Sequence, residues 1–287
     1  MATITAQMVK DLREKTGAGM MDCKKALVAV DGDPEKAVDW LRQKGMAKAA
    51  TKSGRATAEG LVCVESSQDG KISALASLYC ETDFVARGDK FQEQVHKLAQ
   101  TVIEKNPADL AALEALHGDD VKQLIATIGE NMKIGQFARH ELSAEHEVVG
   151  QYIHSNGKIG VLVWAKTDSD KACSAEETKT LLRELAMQIA ASNPLALNGD
   201  GLDPKAIERE RELYLEKARA EGKPENIVSK IADGAVQKFK KSVCLLDQPY
   251  IRDDKKTVTD VIRETEKALS AKINVLGYSR IQLTAEE

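Results

Sequence analysis

Cys80-Glu81-Thr82-Asp83-Phe84-Val85-Ala86-Arg87 concentrates a thiol, two carboxylates, a hydroxyl and an aromatic ring at one place in the chain. Two kinds of chemistry follow from those residue types. Cys80 paired with His154 on a second hairpin would make a nucleophile and its base. A cysteine that ends an apolar strand, however, is normally buried and inert, so a cysteine-dependent enzyme is disfavoured. The other chemistry is recognition. Phe84 falls between polar neighbours on a connection, and connections lie at the surface and carry function more often than the elements they join. From the residues alone two readings stay open: a ring offered to a partner, or a loop ring folded back on its own core, since single apolar surface residues need no explanation.

Other constellations carry less. There is no G-x-x-x-x-G-K-[ST] phosphate loop; Gly70-Lys71 and Gly157-Lys158 sit in hairpin turns, each followed by Ile, so nucleotide hydrolysis by this chain is not expected. Gly17-Ala18-Gly19 separates two helices rather than a strand and a helix, and ending one helix and starting the next accounts for it. His96, His117, His140, His146 and His154 lack metal-ligand spacing, and neither a metal site nor a cofactor is expected.

Composition narrows the function class. The 287 residues are 30% charged and only 4% aromatic, rich in Ala, Leu, Glu and Lys, which favours helix and leaves room for two or three domains. A net charge of −4 argues against a general nucleic-acid binder and for a protein or small-molecule partner. The five scattered cysteines read as reduced core residues of a cytoplasmic protein. Neither a signal peptide at Met1-Ala-Thr-Ile nor an apolar run of membrane-spanning length is apparent, so no membrane partner is expected.

The elements that must position these residues form an α+β arrangement. Residues 1–45 predict three short helices: one capped at Thr3 or Thr5 and stopping at Gly17, one from Met21 to Val30, and one from Asp33-Pro34 to Gly45. Residues 46–57 read as a linker. Residues 58–142 predict a first core subdomain: strands at 61–65 and Ile72–Tyr79 around a Gln68–Lys71 turn, then helices at 89–105, with Asp89 as N-cap, and at 119–131. Gly60 to Ile72 lines up with Gly150 to Ile159, so residues 143–202 predict a second, related sheet-plus-helix subdomain. Asn193-Pro194 and Gly222-Lys223-Pro224 set off an antiparallel helical hairpin at 203–241. Residues 242–287 return to complete the second subdomain with a helix at 257–271 and a strand at 273–283.

Two segments, Leu12-Arg-Glu-Lys-Thr-Gly-Ala-Gly-Met-Met-Asp-Cys-Lys-Lys-Ala-Leu27 and Thr82-Asp83-Phe84-Val85-Ala86, closely resemble the bacterial elongation factor Ts family. The resemblance continues in order through Ile128-Gly129-Glu130-Asn131, His154, Gly160-Val-Leu-Val163, Gly222-Lys-Pro224, Phe239 and Gln248-Pro249, over nearly the whole chain. It implies a guanine-nucleotide exchange factor for elongation factor Tu, preferring the nucleotide-free GTPase and releasing GDP and Mg²⁺, and not itself an enzyme. It implies a UBA-like N-terminal domain with Leu12, Met20, Met21 and Lys24 at the partner, and Thr82, Asp83, Phe84 and Val85 as the element that dislocates Mg²⁺. Ile128, Gly129 and His154 would add core contacts, and the hairpin is the region through which some members form homodimers. Many members continue past the final strand into a further helix, whereas this chain ends at Leu283-Thr-Ala-Glu-Glu287, from which a weaker affinity is expected. The competing class is a passive interaction or chaperone-like module working through the three-helix unit and the hairpin.

Overall fold

The computed structural model describes residues 3–284; Met1, Ala2 and residues 285–287, and with them part of the chain end considered above, lie outside the described residues. The chain is mixed α+β and divides into two compact units. One runs to His140 and takes in Ser155–Ile159 and the residues from Ile281; the other comprises Glu141–His154 and Gly160–Arg280.

The first unit begins with α1 (Ala6–Thr16), α2 (Met20–Ala29) and α3 (Pro34–Ala50). Thr5 caps α1 by accepting from the Met8 amide, Gly17 closes it in the left-handed conformation, and Asp33 caps α3 ahead of Pro34. Val9, Leu12, Cys23, Ala26, Leu27 and Ala37 make the small apolar centre of these helices. The Asp22 carboxylate ties α2 to α3 through Lys44 (3.0 Å) and Lys48 (2.7 Å), which holds its pKa below the usual aspartate value. The expected stop at Gly45 does not occur. Gly45 is buried, and a Cβ there would meet the Ala126 methyl at 3.1 Å, so the missing side chain lets α3 run on against a later helix. Ala49 then enters the core, and the first part of the predicted linker is helix.

Strands β1 (Glu59–Ser66) and β2 (Ile72–Cys80) pair antiparallel, from Glu59 opposite Cys80 to Ser66 opposite Ser73. A four-residue helix, α4 (Asp83–Ala86), follows β2 and leads into α5 (Asp89–Lys105), which lays Phe91, Val95, Leu98, Ala99 and Val102 on the sheet. The N-cap of α5 is Gly88 rather than Asp89, which is its first residue. The next helix, α6 (Leu110–Ile128), starts nine residues before the predicted 119, because Asp109 caps it through the Ala112 amide. It delivers the chain to β3 (Met132–Glu141), a strand the sequence reading did not identify, which completes a sheet of order β1-β2-β3.

The second unit repeats this order. Strands β4 (Glu147–Ile153) and β5 (Ile159–Thr167) form an antiparallel hairpin, a short helix α7 (Asp170–Ser174) follows, and α8 (Glu176–Ser192) packs on the sheet. Ser169 caps α7 as Thr82 caps α4. Two helices then intervene, α9 (Pro204–Ala220) and α10 (Glu225–Val243), packed on each other and linked by Arg211–Asp233 at 3.1 Å. After a two-stranded ribbon, β6 (Pro249–Tyr250) and β7 (Asp253–Thr257), comes α11 (Val258–Leu269), and β8 (Ile273–Gln282) closes a sheet of order β4-β5-β8. Buried Gln188 and Gln248 pin the return of the chain, Gln188 donating to Gln248 and to the Pro249 carbonyl, and Ser192 donating to Gln248.

Among the described residues no helix is long and apolar enough to cross a membrane, and no His, Cys, Asp and Glu group has the makings of a metal site.

Candidate functional site

Phe84 does not fold back. It is 84% exposed, the most exposed large apolar side chain among the described residues, while its neighbours Val85 and Ala86 face the core of the first unit. The reason is local. Phe84 sits in a single helical turn, α4, where one ring must point away once the next two side chains point in. Thr82 caps that turn by accepting from the Val85 amide at 3.4 Å, and Asp83 pairs with Arg87 at 3.0 Å across the turn. The connection expected from the sequence is therefore an ordered, capped helical turn.

What holds the turn comes from far along the chain. The Glu130 carboxylate accepts from the Glu81 amide (3.2 Å), the Thr82 amide (3.0 Å) and the Thr82 hydroxyl (2.7 Å). Glu81 in turn accepts from the Asn131 amide at 2.6 Å, and the Asn131 side chain donates to the carbonyls of Arg55 (2.7 Å) and Ser53 (3.3 Å). Gly129 makes this possible. It ends α6 at φ +98°, a conformation that costs glycine little and other residues much, and so swings Glu130 towards Thr82; its carbonyl accepts from Lys52. Ile128 packs partly buried against the core below.

The predicted site residues thus fall into separate places. Thr82–Val85 and Ile128–Gly129 come together, although 46 positions separate Thr82 from Ile128 in the numbering. Met20 and Met21, 59% and 64% exposed, line a groove with Lys24, Lys10, Arg13 and Ile4, so that apolar and basic side chains share one surface of α1 and α2. Leu12 departs from expectation: at 3% exposure it is packed into the three-helix centre, so its side chain serves the fold and has no surface to offer. His154 is exposed in the second unit, its Nδ1 3.1 Å from the Tyr152 hydroxyl. The sequence reading does not single out Glu130, which stands there only as part of the Ile128–Asn131 block.

The thiol chemistry fails on burial. Cys80 is fully buried, and desolvation together with the carboxylates of Glu130 and Glu59 pushes its pKa up to about 12. A thiol that does not ionise near neutral pH is a poor nucleophile. What the arrangement can do is insert a rigidly mounted aromatic ring, with a carboxylate beside it, into another molecule.

The elongation factor TS family model matches residues 81–285. A chain named elongation factor Ts from Desulfovibrio desulfuricans is 65% identical over 286 residues, 100% of both chains. One of that name from Nitratidesulfovibrio vulgaris is 54% identical over 98% of this chain and 96% of the relative. A third, from Lawsonia intracellularis, is 46% identical over 99% of this chain and all of the relative.

Proposed function

The chain belongs to the elongation factor Ts family, translation elongation factors that act in nucleotide exchange, and from that premise we propose that it releases GDP from elongation factor Tu by inserting Asp83 and Phe84. The observation that carries this reading is Phe84 itself, a fully presented ring on a turn capped by Thr82 and clamped by Glu130. A large ring left in water by a well-packed unit gains from burial in a partner, roughly 1.5–3 kcal/mol.

That gain sets the division of labour. A thousandfold faster release requires about 4 kcal/mol off the barrier at ~1.4 kcal/mol per decade. Phe84 supplies part, and remote surface supplies the rest. In this reading Met20, Met21 and Lys24 of a UBA-like three-helix domain (1–45) are one remote contact, and Ile128, Gly129 and, from the second core subdomain (143–202 with 242–287), His154 add others. Binding energy from those contacts holds the ring between elements of the GTPase and displaces the groups around its Mg²⁺, whose octahedral oxygen shell tolerates little displacement. By linkage the factor binds nucleotide-free GTPase more tightly than the GDP form, and nucleotide loosens the factor by the same ratio. The factor itself turns over no substrate, acts in the cytoplasm, and uses the helical hairpin (203–241) for self-association.

Binding of the chain to immobilised elongation factor Tu, stripped of nucleotide or loaded with GDP and Mg²⁺, tests the reading. Retention on the stripped GTPase and release by GDP with Mg²⁺ are expected. Equal retention in both states would leave only a passive interaction module.

A further inference from the structure

We infer that Glu130 is a positioning residue for nucleotide exchange: through the Thr82 hydroxyl it holds the helical turn that presents Phe84, and it acts on the partner only by way of that turn. The inference rests on the exchange reading above and adds a residue to it.

Beside the link in which Glu81 accepts from the Asn131 amide, Glu130 makes the contacts that reach Thr82 itself. Both Glu130 oxygens are engaged, one by the amides of Glu81 and Thr82, the other by the Thr82 hydroxyl. That hydroxyl has one proton, which goes to Glu130, and its lone pair receives the Val85 amide. One side chain therefore joins the segment after α6 to the first turn of α4, and Phe84 lies inside that turn. Without Glu130 the Glu81 and Thr82 amides lose their acceptor, and the hydroxyl is free to rotate away from its capping geometry. These amides are only half-buried, so once they lose the carboxylate the local backbone turns to find water instead, and the ring moves with it. Hydrogen bonds to a charged acceptor are roughly twice as strong as neutral ones, which makes a carboxylate effective here. The packing of Val85 and Ala86 on the core still anchors the far end of the turn, so the expected result is a misaimed ring in a folded protein.

Because Glu130 is expected to touch the partner only through Phe84, the signature is a split in kinetics and a loss of additivity. Release of a fluorescent GDP from elongation factor Tu is followed in stopped flow against increasing factor, for Glu130→Ala, Glu130→Gln, Thr82→Val, Thr82→Ser, Phe84→Ala and the Glu130→Ala/Phe84→Ala double variant. Glu130→Ala and Thr82→Val are expected to lower the saturating release rate about tenfold, ~1.4 kcal/mol at the barrier. The half-saturating concentration should stay within about twofold of wild type, because the remote contacts are untouched. Glu130→Gln, which keeps an acceptor for the amides and an N–H₂ for the Thr82 oxygen, and Thr82→Ser, which keeps the hydroxyl, should restore most of the rate. In the Phe84→Ala background, removing Glu130 should change the rate by less than about twofold, as expected of groups acting as one unit. A full additional tenfold loss in that background would overturn the inference, as would a Glu130→Ala rate equal to wild type. Should Glu130→Ala fail to fold, Thr82→Val against Thr82→Ser decides alone, equal rates refuting it. If Phe84→Ala itself releases GDP at the wild-type rate, the exchange reading fails, and Glu130 positions nothing that matters to exchange.

Discussion

Replacing Phe84 by alanine separates binding energy from folding energy with unusual clarity. The ring is 84% exposed, and the groups that build its turn, the Thr82 cap, the Asp83–Arg87 pair and buried Ala86, are all left in place. Surface substitutions of this kind change stability by no more than about 0.5 kcal/mol. In the exchange complex the same ring, buried at the barrier, is worth roughly 1.5–3 kcal/mol. At ~1.4 kcal/mol per decade the variant should release GDP about 10- to 150-fold more slowly than wild type at saturating factor. It should not fall to the spontaneous rate, because the remaining contacts still act. The assay is stopped-flow release of a fluorescent GDP from elongation factor Tu, with the urea midpoint of each factor measured in parallel. An unchanged release rate refutes the reasoning. So does a slower rate accompanied by a matching loss of stability, which would mean that the ring supports its own fold.

Three further outcomes follow from the packing. Gly135 in β3 faces β2, and a Cβ there would lie inside contact distance of Ser77 Oγ and 2.6 Å from Tyr79 Cε2, so Gly135→Ala should cost about 1–3 kcal/mol in urea unfolding. His117 is buried between Gln94 and Thr101, near Asp120 and Lys97; burial lowers its pKa from 6.5, and Asp120 only partly opposes this. The folded protein thus binds that proton less readily than the unfolded chain. Its stability should be level above the ordinary histidine range and fall as pH drops through 6.5 towards the lower folded value, and His117→Gln should flatten urea midpoints compared at about pH 7.5 and 5.5. Cys80→Ser should leave exchange unchanged, and native Cys80, its thiol pushed to about 12, should resist iodoacetamide at about pH 8 until urea is added; rapid native labelling would contradict its burial.

Elements with strong local signals were legible in the sequence. Thr5, Asp33 and Gly17 mark helix ends because capping is decided within a few residues, and both hairpins follow from alternation around glycine turns. The repeat seen in two hairpins extends to the capped short helix after each, Thr82 with α4 and Ser169 with α7, and to the third strand that joins each sheet beside its second. Boundaries set by packing were not legible. The passage of α3 through Gly45 depends on the Ala126 methyl 81 positions away, and β3 became a strand because β2 had an open edge beside it.

The candidate site divides along the same line. Sequence determined that an aromatic ring follows β2, that a carboxylate stands beside it, and which family those motifs resemble. All of these are properties of residue identity and short spacing. It could not determine whether the ring points outward, that Leu12 is spent on the three-helix centre, or that Glu130 reaches Thr82. Those outcomes depend on which faces α4, α6 and β2 turn to one another, and packing of the whole first unit decides that by burying Val85 and Ala86, placing Gly129 at positive φ, and leaving Phe84 in water.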